Sequence, residues 1–228
     1  MDREHFHRCK KQFIEGIRAV LSEHGATPAL TEAGFCAYAD PNPLIRFLFW
    51  RRMWLTTGLI EMGGPYGAIL DFGCGAGVGA SLLAPFCNRL IGLDRDLGPY
   101  RLLSPYITCP SNVELYETRD RPLRSFEDNT FDVVMALDVL EHVEDLEDAM
   151  TDICRVVKPG GPVVFCGPTE SVAYRIGRRI AGKEYTGDYH VRNIYDIHKV
   201  AASMMHVETI ATLYYPFPLF KIFVGRSR

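Results

Sequence analysis

A chain of 228 residues, 47% hydrophobic and 23% charged, has an ordinary globular balance, which argues against a disordered protein and, at about 150 residues per domain, gives room for one large domain or one plus an appendage. Lys and Arg total 25 against 28 Asp and Glu, a formal net charge of -3, so binding of nucleic acid over the whole surface is disfavoured. The seven cysteines are odd in number and scattered, with no CxxC pair, which fits reduced thiols in a cytosolic protein better than a disulfide framework or a zinc site.

The opening MDREHFHRCKKQF is charged and has no apolar h-region, unlike a secretory signal. Residues 5–24 read as a helix, with Phe13, Ile14, Ile17, Val20 and Leu21 at helical spacing and Gly25 as its stop. His5 and His7 lack a second ligand pair nearby, so no metal site is expected there. A loop follows. Pro43 then opens a second helix through LIRFLFWRRMWLTTGLIEM to the turn signal Gly63-Gly64-Pro65. Arg46, Arg51, Arg52 and Glu61 make that helix a poor membrane span. Residues 1–62 are thus a helical cap, and 63–228 the main domain.

From residue 66 short apolar runs alternate with helical ones. GAILDF, RLIGLD, NVELYE, FDVVMAL and PVVFCG have strand length and composition. Helices are predicted over 78–86, 98–106 and 146–157. The segment 169–191, with Arg175, Arg178, Arg179, Lys183 and Gly187, breaks the rhythm. A helix over about 195–205 and two further runs, VETIATLYY and PLFKIFVG, complete the chain. The expected fold is α/β, Rossmann-like, with a seven-stranded, mainly parallel sheet covered by helices on both faces.

The densest chemical signal is LDFGCGAGVGA. A strand ends at Asp71, and Gly73, Gly75 and Gly77 turn into a helix, where glycine permits positive φ and close approach of a ligand. A nucleotide-like ligand suits such a turn; the bland alternative is a tight turn with no ligand. Gly75, Gly77 and Ala80 also satisfy the G-x-G-x-x-A dinucleotide pattern, so a nicotinamide cofactor stays open at this point. Asp94 follows 21 positions after Gly73, where a carboxylate can accept both ribose hydroxyl protons. It could instead cap a helix or stand solvated in a loop.

The chain resembles the class I S-adenosylmethionine-dependent methyltransferases, particularly those acting on small molecules and lipid-like substrates. The resemblance rests on LDFGCGAG at 70–77, GLD at 92–94, FEDNTFDVV at 126–134, DVLEHVED at 138–145 and RVVKPGG at 155–161, in the family's order. It implies S-adenosylmethionine as cofactor. Asp71, Gly73, Gly75 and Gly77 would cradle its methionine part, Asp94 its ribose, and Arg95 would lie beside the adenine. Asp120 has the spacing of the family's adenine-binding acid, and Arg121 is a cofactor-binding candidate beside it, although Thr118-Arg119-Asp120-Arg121 replaces the usual small residues. Leu137 and His142 would line the mouth shared by cofactor and acceptor. His142 is the candidate general base, with packing around the loop as its alternative.

The expected reaction is in-line methyl transfer to O, N or C of a small-molecule or lipid-like acceptor. An NAD(P)-dependent oxidoreductase and a catalytically silent S-adenosylmethionine-binding protein are the alternatives. Tyr195 and Lys199 imitate the catalytic pair of short-chain dehydrogenases, but no serine precedes them at the required distance. The Asn/Asp-Pro-Pro-aromatic tetrapeptide of amino-directed nucleic-acid methyltransferases is replaced by Leu137-Asp138-Val139-Leu140. Asp138, Glu141, Asp145 and Asp148 read as a solvated helix face with N-terminal capping. Acceptor specificity is assigned to the cap and to 169–191, with Tyr189, His190 and Arg192 on the substrate side. The helix from Pro43 is expected to bury Phe47, Phe49, Trp50 and Trp54 against the sheet; a lid over the acceptor or contact with anionic lipid are its other readings. No obligate protein partner is implied, and the expected location is cytoplasmic.

Overall fold

Runs of Val, Ile, Leu and Phe that alternate with helices settle into one sheet, β1 (Tyr66–Phe72), β2 (Cys87–Asp94), β3 (Val113–Glu117), β4 (Val133–Leu137), β5 (Pro162–Pro168), β6 (Met205–Leu213) and β7 (Phe220–Ser227), in the order β3-β2-β1-β4-β5-β7-β6. The computed structural model describes residues 2–171, 192–214 and 218–227. Neighbouring strands are parallel from β3 to β5, and β7 runs antiparallel to both β5 and β6. Fully buried Ile69, Leu70, Val133, Val134, Val163 and Phe165 explain why these strands read as continuous apolar runs, as strands covered on both faces do. The chain winds outward from β1 in one direction and from β4 in the other, so the crevice at their carboxyl ends is the switch point where ligands bind. Asp71 is level with Gly92 of β2 and Met135 of β4.

Helix α1 (Arg3–His24) starts at Asp2, whose side chain accepts the Glu4 amide at 3.0 Å, and buries Phe6, Phe13, Ile17 and Val20. Two short helices, α2 (Pro28–Glu32) and α3 (Phe35–Ala39), occupy the stretch expected to be a loop. Five residues each are too few to display a helical period, although Thr27 before Pro28 is a capping signal. Helix α4 (Pro43–Glu61) is capped by Asn42. Helix α5 (Val78–Leu83) gives way to a 3-10 turn at Pro85, and α6 (Gly98–Leu103) to another at Pro105. Helix α7 (Leu146–Val156) is capped by Asp145, and α8 (Ile194–Met204) by an Asn193–Asp196 capping box.

The cap and the sheet domain share a core. Phe6, Phe13, Ile17 and Trp50 pack with Val78 and Leu82 of α5 and Leu103 of α6. Trp50 is 1% exposed, meets the rings of Phe6 and Tyr38 at 5.8 and 5.3 Å, and donates its indole N–H to the Tyr38 carbonyl at 3.0 Å. It therefore packs against α1 and α3 rather than the sheet. Phe49 is the side chain that reaches a strand, with its ring 5.8 Å from Phe220 of β7. Phe47, expected to be buried, is 53% exposed. Among the described residues no helix is long and apolar enough to cross a membrane.

Candidate active site

The loop after β1 is built from glycines that do different work. Gly73, Gly75 and Gly77 have φ of 78°, 50° and 76°, a region that costs other L-residues about 1–2 kcal/mol. A Cβ at Gly73 would lie 2.4 Å from Val139, and one at Gly77 would lie 3.2 Å from the Tyr100 ring. Those two glycines are required by packing. At Gly75 the nearest atom would be the Ala33 carbonyl at 4.0 Å, so this backbone faces open space, as a ligand cradle must.

Two carboxyls frame that space. Asp94, at the end of β2, accepts the Gly75 amide at 2.7 Å and the Asp96 amide at 3.2 Å. Burial pushes its carboxyl above the ordinary range while these amides pull it back. Asp71, at the end of β1, is 3% exposed. Burial, and then the charge of Asp94, push it up to about 7, against a hydrogen bond from the Ala80 amide.

Asp71, Asp94, Gly73, Gly75, Leu137 and His142 line one cavity of about 760 Å³, together with Arg95. Arg95 forms an ion pair with Glu32 of α2. Asp120 and Arg121 do not line it. Both amides donate to the Glu117 carbonyl at 2.9 Å, a turn that carries the chain away from the crevice. The Asp120 side chain is 68% exposed, and Arg121 lies over the rings of Tyr116 and Phe126 at 4.6 and 4.4 Å. Thr118 is the residue after β3 that reaches the cavity. Arg192 donates to the Val143 carbonyl and to the Glu144 carbonyl at 2.8 Å, so it pins the loop after β4 instead of facing the cavity. Tyr189 and His190 lie outside the described residues. Tyr195 is 48% exposed on α8, away from the cavity.

The far end of the cavity holds a group absent from the sequence expectations. Arg52 of α4 is 2% exposed, lies over the rings of Phe49 and Phe220 at 4.9 and 4.7 Å, pairs with Asp138 and hydrogen-bonds the Tyr38 hydroxyl. Asp138 adopts a left-handed φ of 50° directly after β4. Glu141, in the 3-10 turn Leu140–His142, is 1% exposed. The solvated acidic face expected here is therefore wrong for Asp138 and Glu141, although Asp145 is the helix cap it was expected to be. Six acids in residues 138–148 look like surface when the buried partner of one of them lies on another element. The one visible signal was Arg52 itself, an arginine inside an aromatic helix. Around this cluster Ile45, Leu48, Met53, Val139, Val143 and Leu219 supply an apolar wall.

The residues fit S-adenosylmethionine. Gly75 leaves room for close approach, and Asp94 offers acceptor oxygens beside it. The raised Asp71 carboxyl is a buried acid short of a positive partner, which a cationic ligand would supply.

Known proteins agree with that fit. Residues 70–165 match the family described as a methyltransferase domain. A ubiquinone biosynthesis O-methyltransferase of Pseudomonas fluorescens (strain Pf0-1) is 31% identical over 133 residues, 58% of this chain and 56% of the relative. Its counterpart in Klebsiella pneumoniae (strain 342) is 28% identical over 143 residues, 60% and 57% of the two chains. The chain thus spans about half the length of the curated relatives it matches. The PH0226 protein of Pyrococcus horikoshii OT3 superposes with a TM-score of 0.64 at 18% identity, over 85% of this chain and 96% of that one. N-methyltransferase NodS of Bradyrhizobium japonicum WM9, in complex with S-adenosylhomocysteine, superposes with a TM-score of 0.58 at 19% identity, over 82% and 89%. The strand order, the glycine loop with Asp94 after β2, and the family match converge on one conclusion: residues 70–165 are a methyltransferase domain, on the Rossmann-like fold of the class I S-adenosylmethionine-dependent enzymes.

Proposed function

We propose that the protein transfers the methyl group of S-adenosylmethionine to the oxygen of a small, largely apolar, hydroxyl-bearing acceptor. The observation that carries this reading is the continuity of the cavity, which joins the Gly75–Asp94 cradle to an apolar chamber containing buried polar groups. The cofactor's sulfonium supplies a good leaving group, so the chain has mainly to align the reacting atoms and keep water away. Alignment can contribute on the order of 7–11 kcal/mol. Asp94 accepts the ribose hydroxyls, Asp71 compensates positive charge, and Arg95 and Thr118 border the adenine end. Residues 1–62 act as a cap, through which Tyr38, Leu48 and Arg52 shape the acceptor chamber of the 63–228 domain, with 169–191 as a substrate-side insertion. Methylation at oxygen is favoured by the naming of the relatives as O-methyltransferases. Seven cysteines, none of them in a disulfide, support a reducing, cytoplasmic setting.

Calorimetric titration with S-adenosylhomocysteine, NAD and NADP tests the reading. Micromolar binding of S-adenosylhomocysteine alone is expected. Asp94→Ala should weaken it by about 1.5–3 kcal/mol, the worth of charge-assisted hydrogen bonds. Binding of a nicotinamide cofactor instead, or unchanged affinity in the variant, would overturn the cofactor assignment. Binding without methyl transfer to any hydroxyl acceptor would favour a silent binding protein.

A further inference from the structure

A carboxyl group buried among apolar side chains is costly unless something hydrogen-bonds it. Glu141 is such a group. It is 1% exposed, it lines the cavity, and neither carboxyl oxygen has a hydrogen-bond partner among the described residues apart from the pull of its own amide. It sits at the apolar end beside Gly167 of β5: a Cβ there would meet Glu141 Oε2 at an ordinary contact distance of 3.8 Å. The other charges nearby are engaged. Arg52 is clamped between two rings and held by Asp138 and Tyr38, so it neutralises Asp138 without being drawn onto Glu141.

We infer that Glu141 receives the proton of the acceptor's hydroxyl as the oxygen is methylated, and that Arg52 positions this site by holding Asp138 off it. The inference rests on the methyl-transfer reading above. In the step, an oxygen lone pair forms the new O–CH3 bond while the C–S bond breaks and its electron pair stays on sulfur. The O–H proton passes to Glu141, turning carboxylate into carboxylic acid, and leaves to water once the product has gone. The substrate class follows from the site: a neutral hydroxyl on an apolar body, because among the described residues no other residue hydrogen-bonds the Glu141 carboxyl in this largely apolar chamber. His142, on the same turn, is the competing base.

The groups that face Glu141 set its titration. Asp138 and His142 come from its own loop, Arg52 from α4, Cys166 from β5 and Glu170 from the segment after β5. Burial raises the Glu141 carboxyl, Asp138 and Glu170 raise it further, and Arg52 opposes them. The site should therefore become competent as a base only above the ordinary carboxylate range.

The test uses the S-adenosylhomocysteine-loaded protein and 2-naphthol, with 2-methoxynaphthalene as the control lacking the O–H. On excitation, bound 2-naphthol gives up its proton only to an acceptor already hydrogen-bonded to it, and then emits as naphtholate. The bound fraction is resolved by its anisotropy. The wild type should bind 2-naphthol more tightly than its ether, and naphtholate emission should grow between about pH 6 and about pH 9, which needs no variant. Glu141→Gln, nearly isosteric, should bind 2-naphthol within about threefold of wild type yet emit only as the neutral form. Naphtholate emission that survives in Glu141→Gln, or is lost in His142→Ala but kept in Glu141→Gln, would overturn the assignment. So would equal binding of naphthol and ether without naphtholate emission at any pH. Failure of the protein to bind S-adenosylhomocysteine at all would instead remove the methyl-transfer reading, and this inference with it.

Discussion

The two ends of the cavity solve opposite problems. At the cofactor end the chain meets its ligand with backbone: three left-handed glycines, and amides of Gly75 and Asp96 already donating to Asp94. At the acceptor end it uses long side chains brought together from α3, α4 and the turn after β4. Arg52 is compensated there by Asp138, while among the described residues no other residue hydrogen-bonds the Glu141 carboxyl. A cradle of backbone suits a ligand that never changes. Side chains at the chamber end stand on helices and a turn rather than on the strands themselves. The difference implies that substitutions at the first end act through the fold, and at the second through charge.

The largest effect is expected where the cradle meets the acceptor turn. Gly73→Val puts a branched side chain at φ 78° and into Val139. Left-handed strain and overpacking together should cost about 3–5 kcal/mol, measured by denaturant unfolding. A loss below about 1 kcal/mol would mean that this loop is not held by its glycines.

Next comes the pH dependence of Asp71. Its carboxyl lies at about 7 against an ordinary 3.8. A pKa raised by folding contributes stability that is fully present below the unfolded value and lost as pH rises through the folded one. Relative to Asp71→Asn, the wild type should therefore lose about 2–4 kcal/mol between about pH 4 and about pH 7, then run level. Parallel stability curves for the two proteins would show that Asp71 is already compensated.

Arg52→Met leaves Asp138 without its cation. Breaking a buried pair costs about 3–5 kcal/mol, but the Asp138 side chain is 27% exposed and can turn to water, so about 2–3 kcal/mol is expected. Adding Asp138→Asn should restore part of that loss, because a pair removed whole leaves no stranded charge. A double variant no more stable than Arg52→Met would show that the two residues do not act as a pair.

What the sequence disclosed follows the same division. The strands and the cradle were legible because their signals are local: apolar runs between turns, glycines at fixed spacing, and Asp94 at the end of the next strand. The acceptor chamber was not, since its members are scattered and each resembles something common. Asp138 and Glu141 stand in an acidic run, and only Arg52, far away in the chain, shows that the first of them pairs with a buried cation. Asp120 was chosen by spacing alone, and the turn onto the Glu117 carbonyl takes it out of reach. Short α2 and α3 fall below the length at which a period can be seen.

The smallest effect tests the cap itself. Phe47 and Trp50 are three residues apart on α4, yet one is 53% exposed and the other 1%. Trp50 fills the space between α1 and α3, whereas the first turns of α4 extend past them, with Leu44 exposed beside Phe47. Phe47→Ser should change stability by less than about 0.5 kcal/mol, as an exposed position does, while Trp50→Ala should cost about 3–5 kcal/mol. Leu44, Ile45 and Leu48 line the cavity from this same end of the helix, whereas Phe47 does not. The serine variant should therefore weaken 2-naphthol binding by no more than about threefold while S-adenosylhomocysteine affinity stays unchanged. A large loss of stability would place Phe47 in a packed interface. A loss of cofactor affinity would couple the two ends of the cavity through α4, and the division between them would fail.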